Sequence, residues 1–306
     1  MSRQDAPAGQ VPNQIPLAPG LYLVATPIGN LGDITLRALD VLRNADRIAA
    51  EDTRQTQKLL NHYGIETPTE SCHEFNEALR ATSFIEAIRA GKSIAVVTDA
   101  GLPGISDPGS RLAAAAIAAG VPVIPIPGAN AALSALVASG LPTSEFQFLG
   151  FLPEKAGARR TRLESLSKEL AGTERTVILY EAPHRLLETL SDVEAVFGPA
   201  HRVVVARELT KLHEEFLRGP VAEIRAELAA RDRIRGEITL LLEAPAAQQA
   251  AAPATQSLSH QIAALQSAEG IDEKEALKRL ARASGQSKSD LYRELQRERA
   301  GARNRR

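Results

Sequence analysis

A single cysteine, Cys72, stands in 306 residues, and tryptophan is absent. One cysteine can make neither an intramolecular disulfide nor a thiolate metal cluster. Its scarcity suits a reducing cytoplasm, the location expected here. No apolar run approaches the roughly 20 residues that a membrane-spanning helix requires, so no membrane role is expected. The histidines at 62, 73, 184, 201, 213 and 260 show no metal-ligand spacing, and no metal is expected. The G-x-G-x-x-G fingerprint, the Walker A loop and the G-x-S-x-G elbow are all missing. Those gaps argue against dinucleotide, P-loop and serine-hydrolase chemistry. Aromatics make up only 4% of the chain, so its cores must rest on Leu, Ile, Val and Ala within an apolar content of 44%.

Charge of either sign is nearly balanced overall, at −1, but unevenly distributed. From Lys274 to Arg306 there are eleven Lys/Arg against four Asp/Glu, about +7, on an otherwise acidic chain. A basic tail suggests contact with phosphate, most simply nucleic acid, although a solvated helix face carries similar charge. Residues 1–17 are polar, rich in Pro, Gln and Ala, and lack an apolar signal core. They are expected to be disordered.

Apolar runs at 21–25, 47–50, 94–98 and 121–126 alternate with helical patterns at 35–43, 53–63, 76–90, 110–119 and 129–139. This rhythm predicts a mostly parallel sheet covered on both faces, over 18–145. After residues 146–151 the rhythm changes. Helical patterns at 159–170, 183–196 and 221–231, with strands at 176–180, 202–206 and 237–242, predict a second α/β domain over 146–243. The Ala/Pro/Gln stretch at 244–257 reads as a linker, and 258–306 as a small all-helical domain with helix-turn-helix-like spacing around residues 281–292.

The most informative stretch is 96–109, VVTDAGLPGISDPG. A buried-looking strand runs into a loop rich in Gly, Pro and Asp, and a helix follows at once. Such a loop is preorganised for a ligand, and it sits at the carboxyl end of a strand, where open α/β sheets bind them. Its first half, 99–105, is expected to form a ligand wall, and 106–109 the turn that launches the helix. Similar loops follow the other strands: Thr26-Pro27-Ile28-Gly29-Asn30 after the first, and Pro127-Gly128-Ala129-Asn130 after the fourth. Three such loops at one edge imply a shared cavity. Glu51-Asp52-Thr53-Arg54 ends the second strand. There Asp52 or Thr53 could cap the next helix with Arg54 paired to an acid, or an acid could hold a substrate hydroxyl with Arg54 on a phosphate. Tyr180-Glu181-Ala182-Pro183-His184-Arg185 opens a later helix. The charge-rich segment from Arg207 through Glu208 and Lys211 to Glu215 is expected to be largely solvated.

Taken in order, these motifs, with Gly236-Glu237, resemble the rRNA-methylating branch of the tetrapyrrole-methylase-like superfamily over about residues 20–243. The resemblance implies two α/β domains of the tetrapyrrole methylase type with the cofactor cleft between them, followed by the helical tail. It implies S-adenosylmethionine as cofactor and the ribose 2′-hydroxyl of a cytidine in the decoding centre of 16S rRNA as target. The partner would be 16S rRNA within the 30S subunit, and the protein a homodimer. Carried over by motif position, the cofactor residues are Pro27, Ile28, Asp99, Ala100, Gly101, Pro103, Ile105, Pro127, Gly128, Ala129, Asn130, Tyr180, Glu181, Ala182, Ala206, Gly236 and Glu237. The family usually carries Thr where this chain has Leu102, so no side-chain hydroxyl is available at that position. Candidate proton acceptors are Glu51, Asp52, His184 and Glu208. Candidate RNA contacts are Arg54, Arg185, Arg207, Lys211, Arg279, Lys288 and Arg293. Two alternatives are weighed. A corrin or porphyrin C-methyltransferase has no use for a basic tail, and a non-catalytic ribosome-binding module leaves the Gly/Pro loops unexplained.

Overall fold

The computed structural model describes residues 17–244 and 270–284, with positions 262, 265, 266, 292, 293 and 295. The expectations for residues 1–16, the linker at 245–257, and the turn at 285–291 that contains Lys288 fall outside the described residues.

The first sheet is parallel, in the order β3-β2-β4-β1-β5. Its strands are β1 (Gly20–Val24), β2 (Arg47–Ala50), β3 (Thr69–Ser71), β4 (Ser93–Val97) and β5 (Val123–Ile126). Strand β4 is buried along its whole length, as a central strand covered on both faces must be. Helices α1 (Leu36–Asn44) and α2 (Thr53–His62) pack on one face, around Val24, Leu42, Ile48 and Leu60. Helices α3 (Glu77–Arg89) and α4 (Ser110–Ala118) pack on the other, around Leu21, Phe84, Ile94 and Leu112. Strand β3 departs from the sequence pattern: Thr69-Glu70-Ser71 offers no apolar side chain, and it holds its place by backbone pairing to β2 at the sheet edge.

The second sheet is mixed, in the order β6-β7-β10-β8-β9. Strands β6 (Glu145–Phe151), β7 (Arg175–Glu181) and β8 (Arg202–Arg207) share one direction, and β9 (Glu215–Pro220) and β10 (Ile238–Glu243) run against them. Alternation decides its two faces. Val177, Leu179, Val203, Val205, Leu240 and Leu242 face α6 (Ala156–Leu170), α7 (Leu186–Phe197) and α8 (Val221–Ala229). Ile178, Val204, Ala206 and Leu241 face the opposite way, onto Ala132, Ala135 and Leu136 of α5 (Ala131–Ser139). Helix α5 follows the last strand of the first sheet and covers the second. The two sheets therefore share a core, within a compact unit that ends at residue 246.

The C-terminal unit contains α9 (Glu273–Ser284). Asp272 accepts from the Glu275 amide at 2.8 Å and so caps it. Among the described residues of this unit, Ile262, Ala276, Leu277, Ala281 and Leu295 are buried together.

Candidate active site

Because the first sheet is parallel, the loops after β1, β2, β4 and β5 emerge at one edge. The loops after β1 and β4 are laced together. Thr26 donates its amide to the Gly101 carbonyl at 2.8 Å, and Gly101 returns the bond at 3.1 Å. The buried Thr26 hydroxyl donates to the Thr98 carbonyl at 3.2 Å. The loop after β5 runs against the end of β1 so closely that a Cβ at position 128 would stand 2.9 Å from that of Ala25, which only glycine avoids. In the second sheet, Ile238 of β10 pairs with both Glu181 of β7 and Arg207 of β8. That register sets Tyr180-Glu181-Ala182, Glu208 and Gly236-Glu237 side by side.

A cavity of about 310 Å³ opens between these two edges. Ile28, Leu102, Ile105, Phe151 and Leu209 give it apolar walls, and Asp107, Asn130, Glu237 and Thr239 add polar groups. Tyr180 also lines it, held edge-on to Phe148 and Phe151 at 5.0 and 5.8 Å between ring centroids. Of the residues expected to hold a cofactor, Ile28, Ala100, Gly101, Ile105, Asn130, Tyr180, Glu181, Ala182, Gly236 and Glu237 line the cavity. Pro27, Asp99, Pro103, Pro127, Gly128, Ala129 and Ala206 are not among its lining residues. Ser106, Asp107, Phe151, Leu209 and Thr239 line it although no motif points to them as ligand contacts.

The backbone is strained around this cavity and not elsewhere among the described non-glycine residues. Ser106, Glu208 and Thr210 adopt φ values of 63°, 54° and 66°. Left-handed conformations of this kind cost energy and persist where the surroundings over-determine them, often at functional sites. Two supports are visible. Glu77, a buried residue of α3, accepts from the amides of Gly109 and Leu112 at 2.9 and 2.8 Å, capping α4 and fixing the end of the Ser106 turn. Glu208 lies over Gly236, where φ is +94° and any Cβ would collide with its carboxylate.

The four candidate proton acceptors differ sharply. Asp52 caps α2 through the Arg54 amide at 2.8 Å and pairs with the Arg54 guanidinium at 2.9 Å. Those bonds pull its carboxyl down to about 2, which makes it a weak base. Glu208 accepts from Lys211 at 2.8 Å and from the Glu237 amide at 3.0 Å, and the lysine lowers its pKa. His184 is exposed, and none of the four is among the residues that line the cavity. Glu51 is half-buried beside Asp99, whose amide donates to it at 3.3 Å. Burial first, then the charges of Asp99 and Asp52, raise its pKa.

The basic residues of the core unit are mostly engaged. Arg185 donates to the carbonyls of Leu152 and Pro153 and faces Glu181 at 3.4 Å. Glu181 is itself buried, accepting from Thr189 and from the Ala182 amide. Arg207 pairs with Glu215 at 3.0 Å, and Arg231 joins the same carboxylate at 2.7 Å. Lys211 bridges Glu208 and Glu237 at 2.8 and 3.1 Å, its chain lying over Gly29. The segment expected to be solvated is thus a paired network that ties β8, β9 and β10 together. Arg54 keeps its outer surface exposed, and Arg279 and Arg293 are exposed in the C-terminal unit.

Asp107 carries the most perturbed carboxyl of the cavity. Burial, then the charges of Glu51, Asp99 and Glu237, push it up to about 7. Its loop reads in the sequence as a helix-launching turn, in which an aspartate is ordinarily a cap. The structure gives that task to Glu77, so Asp107 has no capping role.

Residues 20–225 match the family model for tetrapyrrole (corrin/porphyrin) methylases. The chain is 47% identical over 280 residues to the ribosomal RNA small subunit methyltransferase I of Halalkalibacterium halodurans, covering 89% of this chain and 93% of that protein. It is 45% identical over 272 residues to the protein of that name from Synechocystis sp., covering 89% and 95%. The Vibrio cholerae protein is 50% identical over 233 residues, covering 76% and 78%. Among solved structures, the methyltransferase CobJ matches with a TM-score of 0.55 at 18% identity, over 74% of this chain and 94% of that one. Diphthine synthase matches with a TM-score of 0.53 at 13% identity, over 73% and 89%. These two share the fold. The model match and the sequence identities together place this chain in the tetrapyrrole (corrin/porphyrin) methylase family, among the ribosomal RNA small subunit methyltransferase I proteins.

Proposed function

We propose that this protein transfers a methyl group from S-adenosylmethionine to the ribose 2′-hydroxyl of a cytidine in the decoding centre of 16S rRNA, presented on the 30S subunit. The observation that carries this reading is the convergence of the Gly/Pro loops of one sheet and the Tyr180 and Gly236 loops of the other on one cavity. That convergence occurs in a chain 47% identical to a protein named for rRNA methylation.

The cavity fits such a cofactor. Its volume falls at the lower end of the range for small-molecule sites, and its walls combine apolar and aromatic faces with a few polar groups. Tyr180, Phe151, Ile28 and Leu102 offer surfaces for a flat base, and Asn130, Thr239 and Glu237 offer partners for hydroxyl and amino groups. When bound, S-adenosylmethionine supplies a methyl group already activated by its sulfonium, so the protein needs no covalent nucleophile. The protein's tasks are alignment and proton removal. Glu51 is the acceptor best suited to take the 2′-hydroxyl proton, because its carboxylate is basic and not neutralised by an ion pair. Asp52 holds Arg54 at the loop surface, where the guanidinium can meet a flanking phosphate.

The deciding experiment offers labelled S-adenosylmethionine and the purified protein to 30S subunits from a strain lacking the modification, to naked 16S rRNA, and to uroporphyrinogen. Label at a cytidine ribose of the 30S subunit supports the reading. Label in the tetrapyrrole, or cofactor binding with no transfer to RNA, defeats it.

A further inference from the structure

Asp107 lines the cavity, yet no hydrogen bond or ion pair engages its carboxylate among the described residues. The neighbouring charges are of its own sign: Glu51 after β2, Asp99 after β4 and Glu237 before β10, with the Tyr180 phenol on β7. The cations of the adjoining loops are paired with other acids. Lys211 is held by Glu208 and Glu237, and Arg54 by Asp52. The rest of the wall is largely apolar, so the field of these carboxylates is weakly screened. Nor is the position accidental in the backbone, since Ser106 before it is forced to positive φ and Glu77 clamps the turn after it.

A lone carboxylate in a largely apolar, negatively charged cavity costs energy unless a cation arrives. Resting on the methyl-transfer reading, we propose that Asp107 selects the positively charged cofactor over its product by facing the sulfonium. S-adenosylmethionine and S-adenosylhomocysteine carry the same ammonium and carboxylate and differ in charge only at sulfur. Disappearance of that charge on methyl transfer removes the partner of Asp107, which favours product release. Before the cofactor binds, burial and the surrounding acids favour the protonated carboxyl up to about pH 7, so cofactor binding ionises it and expels a proton.

The test is titration calorimetry of the full-length protein with each ligand from pH 6 to 8, in buffers of different ionisation enthalpy, for wild type and Asp107→Asn. In wild type, affinity for S-adenosylmethionine should rise with pH to a plateau above about 7, with proton release. Affinity for S-adenosylhomocysteine should stay nearly flat. Asp107→Asn should weaken S-adenosylmethionine about tenfold, change the product's affinity less than about threefold, and abolish the pH slope. Sinefungin, which carries an amine in place of the S-methyl group, should follow the cofactor and not the product. Equal weakening of both ligands would place the carboxylate against their common part and overturn the proposal. So would unchanged affinities with methyl transfer abolished. If wild type binds neither ligand, the methyl-transfer reading itself falls, which distinguishes that failure from this one.

Discussion

Single residues at the candidate site divide by what already occupies them. Asp52 and Glu208 are acids with cationic partners, and those partners stabilise the anions and so weaken them as bases. Glu51 lacks such a partner and is raised by burial. We therefore expect Glu51→Gln to lower the single-turnover methylation rate by about 10²-fold or more with little change in cofactor affinity. Asp52→Asn, which keeps a capping side chain, should leave that rate near wild type. In wild type the rate should climb with pH until Glu51 ionises, at a midpoint raised from that of an ordinary glutamate. Rapid-quench assays of the two variants decide between the acids, and a crippled Asp52→Asn with a healthy Glu51→Gln would reverse the assignment. A second residue bears on stability alone. Burial pushes His201 down to about 4 from an ordinary 6.5. Between these values the unfolded chain takes up a proton that the folded one refuses, so stability falls as the pH drops from 6.5 towards 4. The contribution is up to about 3 kcal/mol across that window. Urea unfolding at pH 5 and 7.5 should show the decrease, and His201→Phe should shrink it.

Among the elements, α4 and the turn before it show how one buried contact serves the site. Its N-cap is Gly109, which has no side chain to offer, and Glu77 reaches across from α3 instead. Glu77→Ala should leave two buried amides unpaired and cost about 1–3 kcal/mol. It should also loosen the Ser106–Asp107 turn and weaken cofactor binding. Thermal unfolding with calorimetry checks both effects, and full stability with unchanged affinity would show the clamp to be idle. Elements also show where pattern reading fails. Strands β3 and β9 are not legible in the chain because these two sheet edges, each with a single neighbouring strand, carry no apolar pattern. Thr69-Glu70-Ser71 has no apolar side chain, and Glu215–Pro220 mixes charge with a Gly-Pro pair. Central strands such as β4 and β8 are apolar on both faces and are plain in the sequence.

For the whole molecule, α5 is the joint that makes one site from two sheets. It leaves the first sheet through the Gly128 loop and buries Ala132, Ala135 and Leu136 against the second. The expectation that the basic C-terminal segment contacts phosphate belongs to the same scale, because it concerns the approach of a large polyanion rather than the chemistry in the cavity. Truncation after residue 246, where the first compact unit ends, should weaken binding to 30S subunits. It should also flatten the salt dependence, by about 0.7–0.9 in the log–log slope for each phosphate that the tail neutralises, while leaving cofactor affinity as it was. Filter binding across a salt series measures this, and an unchanged slope would remove the tail from the RNA interface.

The sequence by itself determined the alternation of strands and helices, the loops that carry the site, and the family to which the chain belongs. Each of these is local in the chain: periodicity, glycine and proline placement, and ordered motifs over residues 20–225. Tertiary structure alone decided which side chains within those motifs are free. That Arg185 and Arg207 are bound inward, that Lys211 bridges two acids, and that Glu77 caps a helix 32 residues away depends on contacts between distant segments. The same holds for Asp107, which reads as a turn residue in the chain. Burial in the cavity and three acids, two of them from other loops, make it the site's most perturbed carboxylate.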